Sequence, residues 1–405
     1  MTAEREIAVI GAGVGGLAVA IALRQYGHRV TVFERFAESR PVGSGLMLQP
    51  AGLAALGRLG LRGRMEALGA RIDRLHGITD RGRIVFDLAY ADLDPSLHAL
   101  AVHRAALHAV LWNGFAASGA TIETGRTITA LAARAGGRVG VVDAAGRGQG
   151  AFELVVDSSG ARSVLRGVVT RDTARPFTYG AVWASVPDIG VAPHALAQRY
   201  VGAHVMLGYL PVGRVTEHGP QLAALFWSLK PSAYGAWKTG YAAWLQDVAR
   251  LWPELGPMVA GLAGPDFFSL AEYQHFTARR PYRGAVALIG DAAHATSPQL
   301  GQGANNALLD ALALADALRV KPDIEAALAA YAQTRRRHVR FYQMASAVMT
   351  PFFQSDSGIA AELRDLSFYR LRHVPYLRRE MIRTLAGLKT GLMTNINPAG
   401  LAGSG

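Results

Sequence analysis

Apolar residues change their spacing several times along this chain, and each change marks an element. Ile7-Ala8-Val9-Ile10 is a continuous apolar run of strand length, Leu17–Tyr26 sets its apolar residues at helical spacing, and Arg29–Phe33 is β-branched and apolar. With glycines between the first two, Glu6–Arg35 predicts strand, turn, helix, strand: a βαβ unit. Strand character returns at Thr121–Ile122, Val139–Val142, Leu154–Val156, Gly180–Val186, His204–Leu210, Leu222–Leu229 and Ala285–Ile289. Long helical patterns cover Pro50–Leu68, Arg104–Ala117, Asn305–Arg319 and Ile324–Met349. Residues 172–280 are strand-rich, hold five of the six tryptophans and give few helix signals before Tyr241–Leu251. The pattern predicts an α/β unit made of residues 1–171 and 281–345, a β-rich unit of residues 172–280 inserted into it, and a basic helical tail over residues 346–405.

Composition narrows the class. At 405 residues the chain exceeds the roughly 250–300 at which one core stops growing, so two lobes are expected. Half of it is hydrophobic and 18% charged, which supports a large core and excludes disorder. Cysteine is absent, so disulfides, thiolate metal centres and a cysteine nucleophile are excluded, and any redox chemistry must come from a cofactor; no metal-ligating residues are singled out. Neither a secretory leader nor 18 uninterrupted apolar residues can be read, and a cytoplasmic protein is the expectation. The net charge of +12 suits an acidic substrate, an anionic cofactor, a membrane surface or nucleic acid. No nucleic-acid module accompanies it, and Arg335-Arg336-Arg337-His338 with Arg340 reads as a solvated helix face.

Two motifs carry the chemistry. Gly11-Ala12-Gly13-Val14-Gly15-Gly16 follows a predicted strand and opens a predicted helix, the context in which such glycines bind a dinucleotide. Gly11 allows the turn, Gly13 admits a pyrophosphate, and Gly16 lets helix and strand approach. Glu34 ends the second strand, 23 residues after Gly11, where a carboxylate can accept from ribose hydroxyls. These residues leave NAD and FAD tied. The run Val286–His294 places Asp291 just past a strand, and Pro298 with Gly301-Gln302-Gly303-Ala304-Asn305 opens another helix. Free amides at such a helix start suit the negative charge of a reduced flavin ring, and Asp291 can accept from a ribityl chain, which favours FAD.

On these residues the chain resembles the FAD-dependent aromatic hydroxylases of the para-hydroxybenzoate hydroxylase type, the single-component flavin monooxygenases, over about residues 5–345. The resemblance implies an α/β fold with a Rossmann-like FAD-binding domain, an inserted mixed β-sheet substrate domain and a C-terminal helical segment. It assigns Asp291, Pro298, Gly301, Gly303, Ala304 and Asn305 to the ribityl chain and flavin ring, and Asp310 to helix packing. Glu34 and Arg35 match the family's Glu-Arg pair, and Arg104 an arginine that reaches the cofactor. The loop Val42–Pro50, with Gly45 and Leu46, resembles the one lying against the flavin edges. Non-covalent FAD, a small aromatic substrate and O₂ are implied, with NADPH or NADH as electron donor and oxygen transferred through a flavin hydroperoxide. The alternatives on the same scaffold are an FAD oxidase, dehydrogenase or reductase, and a catalytically silent flavin-binding regulator.

One stretch departs from the family. A Gly-Ala-Asp-Gly sequence is expected where this chain has Asp157-Ser158-Ser159-Gly160. Ser159 replaces an aspartate that the resemblance implicates in FAD and nicotinamide binding, so a separate flavin reductase enters as a possible partner. His294 is expected to tie its loop by hydrogen bonding. Trp183, Tyr200, Met206, Tyr209 and Trp227 are candidates to roof a flat substrate or to fill the core, and none is named as catalytic. The amphipathic stretch Tyr376–Lys389, with Leu377, Met381, Leu385 and Leu388 on one face, is expected to pack on the FAD domain in preference to a membrane.

Overall fold

The computed structural model describes residues 4–38, 44–371 and 373–396; Val42 and Gly43 of the expected flavin loop lie outside them. A six-stranded sheet runs in the order Tyr282–Arg283, Val286–Leu288, Leu154–Asp157, Glu6–Ile10, Arg29–Phe33, Thr121–Glu123. All neighbours are parallel except the first pair. Its central strand is apolar at every position from Ile7 to Ile10 because both faces are covered. Ile7 and Val9 point at the helices Val14–Gln25 and Gly303–Val320, while Ala8 and Ile10 point at a three-stranded antiparallel sheet through Ile128 and Val141.

The second lobe is a seven-stranded sheet in the order Ser269–Ala271, Gly180–Pro187, Leu222–Leu229, Val205–Gly213, Ala195–Val201, Arg74–Thr79, Ile84–Ala89. Five strands come from residues 172–280 and the last two from upstream, joined through a parallel pairing of Ala195–Tyr200 with Arg74–Thr79. One face is covered by the helix bearing Trp244 and Val248, with Trp252 just past its end, packed on Val182, Leu225 and Tyr209. A small sheet, Gly45–Leu48, Ala99–His103 and Ala70–Ile72, joins the lobes. Gly45 sits so close to the large sheet that a Cβ there would lie 2.5 Å from Val212 and 2.9 Å from Ala224.

Several elements differ from expectation. The helix expected over Pro50–Leu68 breaks into Pro50–Arg58 and Arg62–Glu66, because Gly60 between them takes φ +74°. In the long helix Ile324–Phe353, Arg335 and His338 are buried and only Arg336, Arg337 and Arg340 face water. Residues three apart share a helix face, so a run of basic residues straddles both sides. The helix Pro375–Leu385 lies on the protein: Ile382, Ala386 and Leu388 enter the main core, and the Gln302 side chain donates to the Leu385 carbonyl at 2.9 Å. Among the described residues no helix is long and apolar enough to cross a membrane.

Candidate active site

Two helix N-termini converge on one cavity of about 850 Å³. The first belongs to Val14–Gln25, capped by the backbone of Gly13, with no side-chain cap bond and no carboxylate in its first turn. The second belongs to Gly303–Val320 and is equally bare. Amides at such ends lack intrahelical acceptors and carry the positive end of the helix dipole. Gly13, Val14 and Gly15 line the cavity from one side, and Pro298, Gly301, Gly303 and Ala304 from the other.

The glycines of the first turn divide by role. Gly11 takes φ +99° against the backbone of Ser158, and a Cβ on Gly16 would lie 1.9 Å from the Gly11 carbonyl oxygen. Both serve the close contact of strand and helix. A Cβ on Gly13 would meet nothing within 4 Å. That open cradle, beside unopposed amides, fits a pyrophosphate and hence FAD. Glu34 is buried and accepts from the Ala12 amide at 2.7 Å and the Phe36 amide at 3.0 Å. It anchors the turn through both carboxylate oxygens. Arg35 is exposed, its guanidinium 4.5 Å from the Phe36 ring centre.

At the second turn Gly290 takes φ +58°, which aims Asp291 into the cavity. The turn is held from behind by Asp310. This fully buried carboxylate accepts from the Gly290 amide at 2.8 Å, His294 Nε2 at 2.5 Å and Arg335 Nε at 2.6 Å. Burial opposes its ionisation, but the His294 and Arg335 charges and hydrogen bonds outweigh that and hold it well below the usual carboxylate range. His294 therefore ties the loop. Asp291 is exposed on the cavity lining, and the protein around it raises its pKa by desolvation against the pull of His294, Arg104 and Arg166. Arg104 opens its helix beside a histidine cap, His103, and lines the cavity with Gly45 and Leu46. Asn305 does not line it: its side chain accepts from the Gln49 amide at 2.9 Å and donates to the carbonyls of Met47 and Gly301 at 3.1 and 2.9 Å, clipping the two loops together.

The rest of the wall is the open face of the large sheet. Of the five aromatic and methionine candidates, Trp183, Tyr200 and Met206 line the cavity, while Tyr209 and Trp227 point to the opposite face. Phe226 stands beside Trp183 with ring centres 4.4 Å apart, and the Trp183 indole donates to the Tyr273 hydroxyl at 3.1 Å. Phe226 and Tyr273 were not singled out from sequence; strand alternation marks them only once register is known. The departing stretch also has its own logic. Asp157, fully buried, accepts from the Ser159 amide at 3.0 Å, Ser159 Oγ at 2.6 Å and Ser163 Oγ at 2.5 Å. The carboxylate lies two positions upstream of its expected place, and Ser159 serves it as a donor.

A family model described as FAD binding domain matches residues 4–345. The chain is 33% identical over 330 residues to the 3-amino-4-hydroxybenzoate 2-monooxygenase of Streptomyces cremeus, covering 78% of this chain and 79% of that one. It is 26% identical over 350 residues to the FAD-dependent urate hydroxylase of Mycolicibacterium vanbaalenii, with 82% and 84% covered. A crystal structure of a Klebsiella pneumoniae HpxO variant complexed with FAD matches it with a TM-score of 0.82 at 25% identity, covering 95% of this chain and 99% of that one. With its paired helix N-termini around one cavity, the chain belongs to the FAD binding domain family and is an FAD-dependent monooxygenase.

Proposed function

We propose that the enzyme inserts one atom of O₂ into a small aromatic molecule lying between the flavin and the open sheet face. Two electrons come from NADH or NADPH, directly or through a separate flavin reductase, and the second oxygen atom leaves as water. The observation that carries this reading is one cavity with unopposed helix amides at one end and the Trp183–Phe226 aromatic wall at the other. We assign Gly11, Gly13, Val14, Gly15, Gly16, Glu34 and Arg35 to the adenosine and pyrophosphate half of FAD. Gly45, Leu46, Arg104, Asp291, Pro298, Gly301, Gly303 and Ala304 are assigned to its ribityl and ring half, with Asn305 holding their loops.

The chemistry that FAD supplies when bound is activation of O₂ and delivery of one oxygen atom to an electron-rich ring. The chain's own task is position and dryness. Amides of the helix Gly303–Val320 stabilise negative charge where the flavin ring lies, Trp183 and Phe226 hold the substrate ring, and apolar side chains keep water out. A chain without cysteine needs no oxidising compartment, and we place the enzyme in the cytoplasm. The holoenzyme under ¹⁸O₂, with a reductant and a panel of phenols, is expected to give substrate-dependent O₂ uptake and singly labelled product. Product without label overturns the proposal in favour of an oxidase or dehydrogenase.

A further inference from the structure

The cavity of this chain is poorly supplied with charge. Among the described residues that line it, Arg104 and Asp291 are the only charged side chains. Both belong to the end assigned above to FAD. Away from that end the wall is apolar, with Phe86, Leu196, Met206, Phe226, Met349 and Phe353 on it. Most of the polar side chains there are engaged, while among the described residues Thr296 Oγ1 and Gln302 Oε1 are buried without a partner. The Gln198 amide donates to Met206 Sδ at 3.1 Å, Gln354 accepts from Gln299 at 2.5 Å, Ser297 meets Ser346 at 2.8 Å, and the Thr384 hydroxyl donates to the Glu380 carbonyl at 2.8 Å. Tyr273, on the aromatic wall, accepts from Trp183, and its own proton has no acceptor among the described residues.

The outer end of the cavity is unusual as well. Met344, Val348, Leu371 and Leu392 line it and are nevertheless exposed, Val348 to 60% and Leu392 to 71%. They come from the far half of the long helix, the end of the helix Gly358–Leu371 and the segment after the helix Pro375–Leu385. Apolar side chains that are both wall and surface form a greasy mouth, and such a patch rimming a cavity marks the path of an apolar ligand. An ionised substrate would lose its hydration here, with no charged side chain on this part of the wall to replace it.

We propose that the substrate is an uncharged hydroxyaromatic compound carrying an apolar extension, with its hydroxyl placed by Tyr273 and its extension running out through the mouth formed by Met344, Val348, Leu371 and Leu392. This specificity rests on the function proposed above, and the test separates the two. The oxidised, FAD-loaded enzyme is titrated with 4-alkylphenols from methyl to hexyl, and with 2-naphthol against 3-hydroxy-2-naphthoate, following the flavin absorbance. Affinity is expected to rise about fourfold per methylene, the gain for moving that group out of water, and the carboxylate to weaken binding at least about tenfold. Val348→Asp, on an exposed turn that should tolerate it, is expected to flatten the long end of the series. A series that gains less than about twofold in total, or a carboxylate that binds tighter than its neutral partner, overturns the specificity proposal even if ¹⁸O enters the product. Steep chain-length dependence with no labelled product from any probe supports the specificity and overturns the monooxygenase reading.

Discussion

Two glycines three residues apart in one turn should respond oppositely to the same added methyl group. Gly13 has φ −78° and ψ −171°, a conformation open to any residue, and a Cβ there meets nothing within 4 Å. Gly13→Ala should leave the cofactor-free protein as stable as before, or about 0.4–1 kcal/mol more so through loss of unfolded-state freedom. The methyl would, however, occupy the space into which a pyrophosphate must come to reach the amides, and FAD affinity should fall at least about tenfold, about 1.4 kcal/mol. Gly16 faces the reverse situation. Its Cβ would stand 1.9 Å from the Gly11 oxygen and 2.6 Å from Ser158 Oγ, where real contacts stop near 3.0 Å. The helix must back away from the strand by about an ångström, and overpacking of this kind costs about 1–3 kcal/mol before any cofactor is added. Thermal unfolding of the stripped proteins and fluorescence titration with FAD measure both quantities. A Gly13→Ala protein that binds FAD as tightly as the parent, or a Gly16→Ala protein with an unchanged melting temperature, refutes the division of roles.

Asp310→Asn leaves the buried Arg335 guanidinium without its counter-charge and loosens Gly290 and His294 together. A loss of about 3–5 kcal/mol in the cofactor-free protein is expected from urea unfolding, and a loss below about 1 kcal/mol would show that the cluster is not what holds the second turn. Ser159→Asp sets a second carboxylate against buried Asp157, where a donor now stands. It should destabilise the protein and leave anaerobic reduction by NAD(P)H no faster, whereas Asp157→Ala with Ser159→Asp restores the expected carboxylate without the repulsion and should speed reduction. Equal rates in stopped-flow would remove Ser159 from the account of electron supply. His338 is held well below its ordinary value of 6.5 by burial and then by the Arg335 charge, against Asp310, and neither ring nitrogen has a partner. The unfolded chain takes up the proton first, so the stability of the neutral ring is complete above pH 6.5 and is lost as pH falls through it. His338→Leu should therefore raise the melting temperature more at pH 5.5 than at pH 8; an equal gain at both would show that the ring's protonation is not coupled to folding.

The turns assigned to the cofactor were legible because the function proposed for them is a backbone property. Glycines at fixed spacing between a strand and a helix specify amide directions with little help from the rest of the chain, so Gly11–Gly16 and Gly290–Ala304 could be placed before any contact was known. Side chains at the same sites were less legible. Asn305 has the composition of a ligand contact, yet both ends of its amide are taken by loop backbone. Arg335 sits in a basic run that looks solvated, and only the fold brings Asp310 within 2.6 Å of it. A lone polar residue does not announce whether its partner is water, protein or ligand.

The substrate wall was hidden for a different reason. A strand alternates its faces every residue, so five aromatic or methionine candidates on neighbouring strands sort into wall and core only through register. The pairings Tyr200 with Met206 and Trp183 with Phe226 bring those four side chains to the cavity side, whereas Tyr209 and Trp227 go to the helix-covered side. Gly208 then sets the depth of the wall. A Cβ there would penetrate the Phe226 ring at 1.9 Å, so the ring can lie flat over the backbone beside Trp183 only because that position is bare. Any side chain at residue 208 would push the ring into the space a substrate needs. The shape of the pocket thus depends on a glycine that carries no motif. The same holds for the C-terminal helix: the apolar stripe Leu377, Met381, Leu385, Leu388 was visible as a stripe, but only the packed structure turns Met381 and Leu385 toward the cavity and Leu388 into the core.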